Sequence, residues 1–163
     1  MVERLAVENA RAMIPAWAPN LHPLIVHFPI ALLCSAVALD SAAWVLRRNQ
    51  LLRQLATVLY VLGTASALAA YVTGRAASGT VWMPGMAHAV VAEHWDWAWR
   101  TVWFFAVVTV ARLVLLRPSR ADPGPAVVAV FALVGLLGFG LLFETSDRGG
   151  RLVYQHGVGT ARE

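Results

Sequence analysis

Residues 24–46 read LIVHFPIALLCSAVALDSAAWVL, a run in which Asp40 is the only formally charged residue. About 20 apolar residues, rising 1.5 Å each as α-helix, cross a hydrocarbon core of roughly 30 Å. This stretch is long enough to do so, and residues 55–73, 95–116 and 125–143 form further apolar runs that reach or approach that length. None shows the period-two alternation that a barrel strand requires, so helix is the spanning structure. The expected fold is all-α, an integral membrane four-helix bundle. Composition points the same way. The 163-residue chain is 59% hydrophobic and 13% charged, against roughly 45–50% and 25% for soluble domains.

The net charge of +4 comes from thirteen arginines and nine acids, with no lysine. Arg47, Arg48 and Arg53 lie between the first two runs with no acid among them, and Arg112, Arg117 and Arg120 surround the turn between the last two with only Asp122. The other polar segments balance to zero. Arginine concentrated in two short loops places those loops in the cytoplasm by the positive-inside rule, with both termini on the periplasmic side of a bacterial inner membrane. The basic balance is a topology signal, and nucleic acid is excluded as a partner. Residues 1–20 are expected to form a periplasmic or interfacial tail, residues 21–159 the membrane domain and 160–163 a C-terminal tail. Glu3, Arg4, Glu8 and Arg11 interrupt any secretory apolar core, so the first span is expected to act as the insertion signal.

Chemistry concentrates at the mouth of the first span, LHPLIVHFPI over residues 21–30. Pro23 and Pro29 leave two helix starts open. A start at Pro23 puts His22 at the N-cap with Pro29 kinking the second turn; a start at Pro29 leaves both histidines on a turn. His22 and His27 are five residues apart, about 500° of helix, so they do not face one way. Under the arginine topology all five histidines, His22, His27, His88, His94 and His156, fall at the outer ends of spans or in outer segments. Imidazoles from different segments in one layer suit a flat macrocycle bound between helices. The ligand pair expected first is His27 with His94. His22 and His156 form a second pair or support, Arg75, Arg100 and Arg151 are candidates for the propionates, and His88 is set aside.

Elsewhere the polar residues read as structural. Asp40 in the hydrocarbon region needs a partner, because an isolated charge there costs at least about 2.5–3.5 kcal/mol. Arg112, at similar depth in the third span, is expected to supply it as an ion pair. Cys34 is the only cysteine, which rules out a disulfide, a cysteine metal cluster and a CxxCH haem attachment. Small residues in the second span and Gly135, Gly138 and Gly140 in the fourth suit close helix packing. After Phe143 the chain is expected to turn at Gly149 and Gly150, with Leu152, Val153 and Tyr154 folding back onto the bundle and carrying His156.

HPLIVHFPIALL at the first span, Thr73–Gly74 after the second, a histidine heading the third and the ending RLVYQHGVG resemble the bacterial membrane proteins grouped as domain of unknown function 2231. The resemblance covers residues 21–159 and matches His22, His27, His94 and His156 to the family's histidines. It implies a four-span inner-membrane protein. Some relatives are joined to cytochrome c or Rieske modules, which implies redox traffic on the outer face.

The function expected from these residues is a membrane-embedded b-type haem electron carrier holding one or two haems, exchanging electrons with membrane redox subunits or periplasmic carriers. Bis-histidine ligation leaves no open iron position, so transfer is expected without catalysis. The alternatives are an accessory subunit of a larger redox or photosynthetic complex, or a copper or zinc site built on His27 and His94.

Overall fold

The computed structural model describes residues 20–46, 49–116 and 123–160. The tail over residues 1–19, Arg47, Arg48, Arg117, Arg120, Asp122 and residues 161–163 lie outside the described residues. The elements are α1 (His22–Ile25), α2 (His27–Val45), α3 (Gln50–Ala77), α4 (Ala87–Leu115) and α5 (Pro125–Tyr154). Joined, α1 and α2 make the first of four helical spans long and apolar enough to cross a membrane.

The first span starts at His22, whose backbone N–H donates to Asn20 Oδ1 at 3.0 Å. Pro23 sits in its first turn. The helix pauses at Val26, which keeps helical angles (φ −59°, ψ −25°). Pro29 has no N–H to offer the Ile25 carbonyl four residues back, and that missing bond separates α1 from α2. At the other end of the bundle, Asn49 Oδ1 caps α3 by accepting from the Leu52 N–H at 3.2 Å.

The spans form an up-down-up-down square. α2 packs on α3 and α5, α4 packs on the same two, and α2 and α4 occupy one diagonal. Leu33, Tyr60 and Phe105 are fully buried at the centre. Gly63 lets Leu33 seat against α3, since a Cβ there would stand 2.7 Å from Leu33 Cδ2, and Gly138 admits the Phe105 ring in the same way. Outside, Val107, Leu137 and Phe143 are each more than 60% exposed. An apolar exterior around a close-packed interior matches hydrocarbon as solvent.

Two helices run further than hydropathy indicates. α4 begins at Ala87, ahead of residue 95, and α5 continues past Phe143 to Tyr154 without turning at Gly149–Gly150. Ion pairs one turn apart, Glu144 with Arg148 and Asp147 with Arg151, lie along that extension. They offset part of the roughly 1 kcal/mol that each helical glycine costs. The chain turns only later, at Gly157 and Gly159, whose φ of 64° and 73° fall in the left-handed region. Val158 then packs with Ala87, Val91 and Leu152, tying the end of α5 to the start of α4.

Candidate functional site

The diagonal spans carry matched polar residues. His22 precedes Asp40 by eighteen positions, and His94 precedes Arg112 by the same eighteen. Eighteen residues are five full helical turns, so each helix presents its histidine and its charge on one face about 27 Å apart. The first span and α4 thus face each other with a histidine layer at one end and an ion pair at the other.

In the ion-pair layer, Arg112 Nη1 donates to Asp40 Oδ2 at 2.6 Å, and Nη2 donates to the Arg53 carbonyl at 3.2 Å and to Thr57 Oγ1 at 3.1 Å. Asp40 is 3% exposed and Arg112 0%. The guanidinium lies over the rings of Tyr60 and Phe131, 4.7 and 5.1 Å from their centroids. A group so paired and stacked holds the diagonal together.

In the histidine layer each imidazole is seated on the next helix. His94 Nδ1 lies 3.0 Å from the Thr145 carbonyl of α5. A carbonyl only accepts, so Nδ1 carries the proton and Nε2 keeps its lone pair. Thr145 is itself fixed, its hydroxyl 2.8 Å from that of Thr101. His22 is set against α3, with Thr73 Oγ1 3.4 Å from Nδ1. Both rings lie on glycine. A Cβ at Gly74 would stand 2.9 Å from His22 Cε1, and one at Gly149 3.2 Å from His94 Cε1. The two imidazoles are near enough for the charge of His22 to act on His94, as that of Arg148 also does.

The remaining expected site residues are placed differently. His27 is exposed on the outside of the first span. His22 and His94 are half-buried, and the five residues of helix between His22 and His27 turn the two side chains to different faces. His88 is exposed near the start of α4, and His156 is half-buried in the turn after α5. Arg100 is exposed, its guanidinium 5.4 Å from the Trp97 ring centroid, and Arg75 lies 4.2 Å from that of Trp95. Arg151 pairs with Asp147 at 2.8 Å. The arginine beside His94 is Arg148, which stacks on Trp97 at 4.6 Å and pairs with Glu144 and Glu93. Among the described residues no group of three or more His, Cys, Asp or Glu side chains converges as a metal site.

Sequence reasoning passed over Arg148, Thr145 and the seating role of Gly74 and Gly149. The repeated eighteen-residue spacing was the available signal, since it already puts His22 with Asp40 and His94 with Arg112 on common faces.

A family model described as Predicted membrane protein (DUF2231) matches residues 18–162. The chain belongs to this family. The match takes in all four spans and both layers of this DUF2231 protein. No curated protein and no solved structure matches it.

Proposed function

We propose that this DUF2231 protein is a b-type haem electron carrier of the bacterial inner membrane, in which His22 and His94 would hold the haem. The observation that carries the reading is the placement of these two imidazoles, from diagonal spans, in one layer and near enough to interact, with His94 held by the Thr145 carbonyl of α5 and His22 set against Thr73 of α3. Second-partner hydrogen bonding of that kind fixes the orientation of a ligating histidine and raises its basicity. Two imidazoles from different spans suit haem, which takes two protein donors, whereas closed zinc sites take four. Haem, when bound, supplies one-electron transfer. The chain's own residues orient the rings through Thr145 and Thr73, and Arg148 places positive charge near His94.

The arginine-rich loops support an orientation with the ion-pair end at the cytoplasm and the histidine layer, with both termini, at the periplasm. Electrons would then pass between membrane redox subunits and periplasmic carriers. The test is an oxidised and dithionite-reduced visible spectrum of detergent-purified protein from haem-replete cells, with a pyridine haemochrome assay. A reduced b-type spectrum lost in His22→Ala and His94→Ala but kept in His27→Ala supports the reading; a colourless wild-type preparation overturns it.

A further inference from the structure

At the histidine end of the bundle the charged side chains fall into two groups. Arg148 pairs with Glu144 and Glu93, and Arg151 pairs with Asp147. The side chains of Arg75 and Asp96 are exposed and form no ion pair or hydrogen bond among the described residues. They are nonetheless neighbours. The Arg75 guanidinium of α3 lies over the Trp95 ring of α4, 4.2 Å from its centroid, and Asp96 is the next residue along α4. Arg100, one turn further on and spaced to meet Asp96, lies instead over Trp97 at 5.4 Å. A cation and an anion thus stand close together on the surface, each without a charged partner.

Deeper along the same two helices the surface changes character. One turn in from Arg75 and Trp95, Tyr71 packs on Trp99 with ring centroids 5.3 Å apart, and Trp99 meets Trp103 edge-on at 5.5 Å. Trp99 and Trp103 are about half exposed, as are Leu68 and Val72 of α3. From the helix ends inward this face offers opposite charges, then indole rings, then hydrocarbon. A phospholipid carries its groups in the same order, and tryptophan favours the level where headgroup meets acyl chain.

Charge narrows the headgroup. A guanidinium lying on a ring keeps its N–H donors in its own plane, where they can take a phosphate through two parallel bonds. A purely anionic head would satisfy Arg75 and be repelled by Asp96, so the head must carry a cation as well. A carboxylate only accepts hydrogen bonds, so Asp96 favours a primary ammonium, which donates three, over a quaternary one, which donates none. We propose that Arg75 and Asp96 bind a phosphatidylethanolamine from the leaflet at the histidine end, its phosphate on Arg75, its ammonium on Asp96 and an acyl chain along Trp99 and Trp103. The site uses neither His22 nor His94 and holds or fails independently of haem binding.

The test is native mass spectrometry of the detergent-purified full chain, titrated with the dioleoyl forms of phosphatidylethanolamine, phosphatidylcholine and phosphatidylglycerol. The wild type is expected to bind phosphatidylethanolamine about fivefold more tightly than either other lipid, the scale of one exposed ion pair. Asp96→Asn should erase that preference while leaving phosphatidylcholine affinity in place. Arg75→Gln should weaken phosphatidylethanolamine and phosphatidylcholine alike, by about tenfold. The control Arg151→Gln, which breaks the pair with Asp147, should change neither. Arg75 and Asp96 are exposed, so the variants should fold as the wild type does, which circular dichroism verifies. Equal wild-type affinity for the three lipids, tightest binding of phosphatidylglycerol, a preference that survives Asp96→Asn, or an equal loss in Arg75→Gln and Arg151→Gln would each overturn the proposal.

Discussion

Substituting the two glycines that seat the histidines gives a graded test of the site. Ordinary contact with a Cβ begins near 3.4 Å, and a Cβ at Gly74 would stand 2.9 Å from His22 Cε1 and 3.1 Å from its Nδ1. The His22 ring must then withdraw by about 0.5 Å, a displacement at the limit that a ligand constellation tolerates. It has little slack, because its Nδ1 is already 3.4 Å from Thr73 Oγ1. At Gly149 the contact would be 3.2 Å, so His94 needs to give only about 0.2 Å, within what packing absorbs. Gly140 has open space where its Cβ would go and serves as the control. Haem occupancy by pyridine haemochrome should therefore fall most in Gly74→Ala, by about half or more, slightly in Gly149→Ala and not at all in Gly140→Ala. Far-ultraviolet circular dichroism of each variant would verify that the helices persist. Full occupancy in Gly74→Ala, or an equal loss in Gly140→Ala, would refute the claim that close seating on glycine positions the imidazoles.

Removing one partner of the buried ion pair should cost far more than removing both. Asp40→Asn strands a guanidinium that is 0% exposed and is expected to lower stability by about 3–5 kcal/mol in micelle unfolding, while the double variant Asp40→Leu, Arg112→Leu recovers most of the loss. In the same assay Thr109→Val, which removes the 2.9 Å contact with Thr64 across α3 and α4, should cost about 0.6–1.7 kcal/mol. His27→Ala should leave both the melting temperature and any haem spectrum unchanged, since that side chain is exposed; a lost spectrum would return His27 to the ligand set.

The spans were legible because hydropathy and length add along the chain without reference to partners. Residues 24–46 announce a membrane helix alone, and one charge in each of two spans, Asp40 and Arg112, announces a pair by the cost of leaving either unmatched. The limits of α4 and α5 were less legible. Glu93, Asp96, Glu144 and Arg148 end the apolar runs, but a helix continues wherever its backbone bonds are kept and its side chains find partners, as Arg148 does with Glu144 and Glu93. The turn placed at Gly149–Gly150 rested on glycine's low helix propensity. In the bundle Gly149 stays helical because His94 needs the space that a side chain would fill.

Sequence alone was enough for the bilayer as solvent, the four spans and the gathering of the histidines at one end, since each follows from polarity summed over consecutive residues. Only the tertiary structure half-buries His22 while leaving His27 exposed, brings the charge of Arg148 to bear on His94, and sets both rings against glycine. Those choices depend on how far each helix is rotated about its axis and which neighbour it meets. That rotation is set where α2 packs between α3 and α5 and where Asp40 finds Arg112 across the diagonal. It is a property of all four helices together, and no single segment carries it.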